Sequence, residues 1–99
     1  MNITINKNGD ELYAAISGQM NAQTSPMIEV QLIPALDGTK TVTLDLEKLE
    51  YISNAGLRVF LTVMQYMDDR DSKLTVKNVR PEIMSIFDLT GFTGCLNIV

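Results

Sequence analysis

Residues 41–69 read TVTLDLEKLEYISNAGLRVFLTVMQYMDD. The first six alternate, with Val42, Leu44 and Leu46 on one face and Thr43 and Asp45 on the other. That is the period of a half-buried strand. The strand runs out into a short polar loop. From about Asn54 to Asp69 the period becomes helical: Arg58, Thr62, Gln65 and Asp69 form one polar stripe. Leu57, Phe60, Leu61, Met64 and Met67 lie on one apolar side, with Val59, Val63 and Tyr66 flanking them. This apolar arc is wider than one packed face normally needs, so the helix is either deeply buried or partly given to a partner. A strand feeding a helix in this way is half of a β-α-β unit, which implies parallel pairing through a right-handed crossover.

The rest of the chain extends that unit in both directions. Ile3-Thr4-Ile5 alternates, Asn8-Gly9 signals a tight turn, and Leu12–Ile16 reads as the return strand of a hairpin, ended by Gly18. Ser25 and Pro26 suit a helix start. Ile28, Leu32, Ala35 and Leu36 share a face of that helix, Pro34 predicts a kink or an early end, and Asp37-Gly38 closes it. Lys73–Lys77 is a further alternating strand. Pro81 opens a third helix with Ile83, Ile86 and Phe87 inward and Thr90-Gly91 as its stop, and Leu96–Ile98 is a last short strand. The predicted order is β-β-α-β-α-β-α-β. It makes residues 1–99 a single α/β domain with a mixed sheet of four to five strands and an N-terminal hairpin. Because the strands alternate, the helices are expected mainly on one face.

Composition narrows the function. A chain of 99 residues buries roughly two-thirds of its unfolded surface, enough for one modest core. Eight Lys and Arg against twelve Asp and Glu leave a net charge of −4, which offers nothing to DNA, RNA or anionic lipid. With no His and one Cys, the chain lacks the commonest metal ligand, the commonest general base and any internal disulfide. No metal and no cofactor are expected, and a binding module is favoured over an enzyme. Asp68, Asp69 and Asp71 read as a solvated acidic loop, and Cys95 as a small buried hydrophobe. The opening residues MNITINKNGD hold no apolar core of a leader and no run approaches 18 apolar residues, so a cytoplasmic location is expected. Met20, Met27 and Met84 fit either as gap-fillers or as adaptable contacts.

The segment with most chemical content is Ser53-Asn54-Ala55-Gly56, where the second helix begins. A helix start presents unpaired N–H groups and the positive end of the dipole. Small residues there allow another backbone to approach. Asn54 reads as a cap, as a contact at a docking site, or as both; Ser53 reads as a hydroxyl bonding the helix start.

Tyr51-Ile52-Ser53-Asn54-Ala55-Gly56-Leu57-Arg58 resembles the signature of the STAS domain, the module of bacterial anti-sigma factor antagonists. Three more stretches match the family in the right order. Ile16–Asn21 is similar to its strand ending in a Gly-x-Leu-Asp step, Val42–Leu46 to its V-x-L-D-L strand, and Phe87–Phe92 to its Thr-Gly-Phe helix end. The resemblance implies partner switching. The antagonist binds an anti-sigma factor that is also a Ser/Thr kinase of the histidine-kinase-like ATPase fold, phosphorylation at the helix start dissociates the pair, and a phosphatase resets it. It also implies a protein-binding site at Asn21, Ser53, Asn54, Ala55, Gly56, Leu57 and Arg58, and a free protein that is monomeric. The chain departs from the pattern at two positions. The phosphoacceptor falls on Asn54 and the acidic residue at the second strand's end falls on Asn21, both amides. Ser53 is the neighbouring candidate for modification. The alternative reading is an adaptor subunit of a membrane transporter or larger signalling assembly, docked through Val59, Val63 and Tyr66.

Overall fold

A computed structural model describes residues 2–99. Strands β1 (Asn2–Asn8) and β2 (Glu11–Met20) are followed by α1 (Ser25–Ala35), β3 (Thr41–Asp45), β4 (Leu49–Ile52) and α2 (Asn54–Asp69). Then come β5 (Lys73–Lys77), α3 (Pro81–Thr90), a 3-10 turn over Phe92–Gly94 and β6 (Asn97–Ile98). The sheet runs β1-β2-β3-β5-β6, antiparallel only at the β1–β2 hairpin, with β4 pairing parallel to β2 off that path. Asn8 pairs with Glu11, so the hairpin turn is Gly9–Asp10, one residue beyond the Asn8-Gly9 reading.

The sheet therefore has six strands where four to five were expected. The additional strand is β4, read from sequence as loop. Leu49 and Ile52 are buried while Glu50 and Tyr51 point out. Four residues are too few for a periodic signal, and the partner that makes them a strand lies about thirty positions away on β2. Gly18 does not end β2. It takes φ +88° at a register shift, a conformation a side chain would resist, and the strand continues to Met20.

One sheet face carries the core. Leu12, Ala14 and Ile16 of β2, Val42 and Leu44 of β3 and Val76 of β5 are all buried. Against them pack Ile28 and Leu32 of α1, Phe60, Val63 and Met67 of α2, and Ile83 and Phe87 of α3. Phe60 meets Phe87 edge to face, with ring centroids 5.8 Å apart and planes at 80°, a favoured aromatic geometry. Val59 and Val63 are buried, so the wide arc of α2 is core and not the adaptor face considered above; Tyr66 is half-buried, bonded by Arg70 Nη1 at 2.8 Å. Leu61, placed inward by the pattern, is 41% exposed. Cys95 is exposed as well, a correction to the buried reading: it follows the 3-10 turn, and the next residue, Leu96, takes the inward position. Helix α1 runs through Pro34 and ends one residue later at Ala35, short of the Asp37-Gly38 stop. Met20 is buried as a gap-filler, whereas Met27 is exposed.

The other sheet face is polar. On it Tyr13 of β2 donates to the Asp45 carboxylate, and Lys77 Nζ lies 5.2 Å from the centre of the Tyr13 ring. Burial opposes ionisation of Asp45, but hydrogen bonds from Tyr13, the Glu47 N–H and Asn78, with the Lys77 charge, outweigh it and hold the carboxyl below its ordinary range. The same bond raises the Tyr13 phenol, with burial and the charges of Asp45 and Glu47 acting in the same direction. The depressed acid contributes stability that is present above the ordinary Asp value near 4 and is lost as pH falls through the folded value. The raised phenol contributes stability that is complete below about 10 and is lost as pH rises through its folded value. Tyr13→Phe is accordingly expected to be less stable than the parent by a constant amount between about pH 5 and 9, the difference shrinking on both sides. Urea midpoints at a series of pH values check this; a difference that does not shrink at high pH refutes it.

Candidate functional site

The parallel strands β2 and β4 end together, at Met20 and Ile52. The Ser53 N–H donates to the Met20 carbonyl at 2.8 Å, extending the β2–β4 pairing by one residue. This places Asn21, which follows β2, beside the start of α2. The Asn21 side chain is engaged locally: its Oδ1 accepts from the Gln23 N–H at 2.9 Å and the Thr24 N–H at 3.0 Å, shaping the turn into α1.

Ser53 is the N-cap residue of α2, in extended conformation, and its carbonyl accepts from the Leu57 N–H at 3.0 Å. Its hydroxyl makes no bond to the helix start, contrary to the sequence reading; the oxygen is buried without a partner. The Ser53 hydroxyl oxygen is therefore closed to solvent. Asn54 is the first helical residue and is exposed. The first turn holds no acidic residue, so α2 itself supplies no negative side chain to the positive end of its dipole. Arg58, one turn along, is also exposed, and among the described residues it has no carboxylate within salt-bridge distance.

Gly56 explains how this turn is held. A Cβ at that position would lie 2.6 Å from Ile52 Cγ1 and 2.9 Å from Met20 Cβ. The first turn of α2 is thus seated directly on the ends of β2 and β4. Gly56→Ala gains helix propensity of about 1 kcal/mol at most, but overpacking costs about 1–3 kcal/mol. A net loss of stability in urea unfolding is expected, with the Asn54 edge displaced outward; a stabilised variant refutes the close-packing account.

A shallow depression of about 510 Å³ adjoins the turn, lined among others by Tyr51, Asn54, Ala55, Ile86 and Leu89. Tyr51 is 48% and Leu89 87% exposed. An apolar patch beside an exposed helix start fits a protein surface better than a small polar ligand. Tyr51 and Leu89 escaped the sequence reading as surface residues because nothing in the local pattern separates an outward Leu from an inward one. Among the described residues no group of His, Cys, Asp or Glu is placed to hold a metal, and no helix is long and apolar enough to cross a membrane.

The sequence profile of the STAS domain matches residues 2–98. The chain belongs to the STAS domain family. BtrV of Bordetella bronchiseptica, whose name carries an anti-sigma factor antagonist assignment, is 33% identical over 93 residues, covering 93% of this chain and 80% of BtrV. The anti-sigma-B factor antagonist of Staphylococcus aureus is 27% identical over 91 residues, covering 90% of this chain and 84% of that protein. Among solved structures, the anti-sigma factor antagonist SpoIIAA in its unphosphorylated form superposes with a TM-score of 0.85 over 99% of this chain and 88% of that one, at 13% identity. By sequence and structure this STAS domain lies with the anti-sigma factor antagonists. The six-stranded sheet with one helical face is the STAS architecture.

Proposed function

We propose that this STAS domain is an anti-sigma factor antagonist that docks an anti-sigma factor kinase of the histidine-kinase-like ATPase fold and is not released by phosphorylation. The observation that carries the reading is the exposed carboxamide of Asn54 at the position where the family resemblance puts the phosphoacceptor, beside a Ser53 hydroxyl that is buried. Asn54, Ala55 and Arg58 form the docking edge. Gly56 and Leu57 seat it, and Asn21 shapes the neighbouring turn. Tyr51 and Leu89 supply apolar area on the adjoining surface. An amide at position 54 keeps hydrogen bonding and loses the nucleophilic oxygen. The partner then stays bound while the antagonist is present, and release depends on its concentration and not on a phosphatase. The free protein is taken as a cytoplasmic monomer.

The test is capture of the tagged protein from its host's cytosol, with intact mass spectrometry of bait and eluate. A kinase-like ATPase bound to an unphosphorylated bait supports the reading. A phosphate on Ser53 restores an ordinary switch and overturns the non-switchable part. Transporter subunits in place of the kinase overturn the sigma-regulation reading altogether.

A further inference from the structure

Strands β3 and β4 run consecutively along the same side of β2. Thr41–Asp45 pairs with Glu11–Ala15, and Leu49–Ile52 with Gly18–Met20. Between them three residues, Leu46–Lys48, span a gap that β2 crosses with Ile16 and Ser17 alone. The chain bulges there, and the shape of the bulge decides where β4, and after it Asn54, is delivered.

That bulge is organised by one carboxylate. Asp45 is 9% exposed. Its Oδ1 accepts from the Glu47 N–H at 3.0 Å, closing the connector on itself, and from Asn78 Nδ2 at 3.1 Å in the β5–α3 loop. Its Oδ2 accepts from the Tyr13 hydroxyl on β2. The connector's backbone is tied at both ends: the Leu46 N–H bonds the Lys77 carbonyl at 3.0 Å and the Gly18 N–H bonds the Lys48 carbonyl at 2.9 Å. Arg80 Nε reaches the Glu47 carbonyl at 2.8 Å. Three separate segments therefore converge on Asp45, and the chain passes from it through the connector Leu46–Lys48, the four residues of β4 and Ser53 into the α2 start.

The geometry points to Asp45 as the positioning residue of the docking edge: it touches no partner, but fixes the β3–β4 connector and through it the placement of Ser53 and Asn54. Without the carboxylate the Glu47 N–H, the Asn78 amide and the Tyr13 hydroxyl lose their shared acceptor, and β4 is left to its short ladder with β2 and the burial of Leu49 and Ile52. The docking consequence rests on the function proposed above; the positioning itself does not.

The test compares Asp45→Ala with Asp45→Asn and with Val42→Ala, a buried truncation at the far end of β3 that takes no part in the connector. Amide hydrogen exchange of the folded, full-length protein is followed at β4, Ser53 and Leu57, with β2–β3 amides as reference. Asp45→Ala is expected to speed exchange at β4 and Ser53 at least about tenfold relative to that reference, whereas Val42→Ala speeds all slow amides alike. Asp45→Asn retains most of the protection, because its amide oxygen still accepts from Glu47 and Asn78 while its NH₂ donates to the Tyr13 oxygen. Affinity for the captured kinase is expected to fall about tenfold in Asp45→Ala, and to stay within about twofold in Val42→Ala at equal residual stability. Uniform acceleration in Asp45→Ala, indistinguishable from Val42→Ala, overturns the proposal. Selective loosening of β4 with unchanged affinity upholds the positioning role and refutes docking through this turn.

Discussion

Given the kinase and ATP, Asn54→Ser is expected to take up one phosphoryl group and then to lose its partner. Asn54 is exposed as the first residue of α2, so a serine hydroxyl placed there meets solvent and an approaching nucleotide, unlike the buried Ser53 oxygen. The hydroxyl attacks the terminal phosphorus, ADP leaves, and the proton passes to the kinase. The parent carboxamide has no such nucleophile. The product carries about −1.5 to −2 charge at the docking edge proposed above. Burying it costs several kcal/mol, and a loss of about 3–4 kcal/mol corresponds to binding roughly 10²–10³-fold weaker. Asn54→Asp separates docking from folding. A single negative charge at a helix N-terminus stabilises the free protein by about 0.3–1 kcal/mol, while it weakens the complex. Opposite signs in thermal unfolding and in titration calorimetry identify position 54 as an interface residue. Phosphorylation of Asn54→Ser that leaves affinity unchanged removes the helix start from the interface.

The largest effect on stability is expected at Phe60. The ring is fully buried between the sheet and α3 and offers the edge-to-face contact to Phe87. Phe60→Ala removes that contact and leaves a cavity, at a cost of about 3–5 kcal/mol. A domain of this size has only about 5–15 kcal/mol in total. The unfolding temperature should fall by roughly 15–25 °C, with the denaturant slope unchanged if the variant still unfolds in one step. Leu61→Ala is the control: the neighbouring residue is 41% exposed, and its loss is expected within about 0.5 kcal/mol. Equal effects at the two positions would mean that the orientation of α2 is wrong.

Local periodicity made much of this molecule legible. The strand over Thr41–Asp45, the helix over Asn54–Asp69, the strand over Lys73–Lys77 and the helix opened by Pro81 and stopped at Gly91 follow from patterns contained within each segment. The candidate site was legible for the same reason. A run of small residues at a helix start is a local feature, and the amides at 21 and 54 stand out only against the family pattern. What the pattern could not resolve depends on partners distant in sequence. β4 is a strand because Gly18–Met20 runs beside it, and Gly18 marks a bulge because β2 must serve both β3 and β4.

The amino-acid sequence by itself determined the three helices, five of the six strands and the absence of a hydroxyl at position 54, since these rest on side-chain periodicity and on chemistry written residue by residue. Only the tertiary structure decided which apolar residues face outward. Val59 and Val63 enter the core while Leu61, Tyr51 and Leu89 do not, and Cys95 is exposed beside buried Leu96. It also decided that Asp45 is a junction of three segments. The physical reason is that burial and hydrogen-bond partnership belong to pairs of segments, and a single segment carries no record of what the fold will set against it.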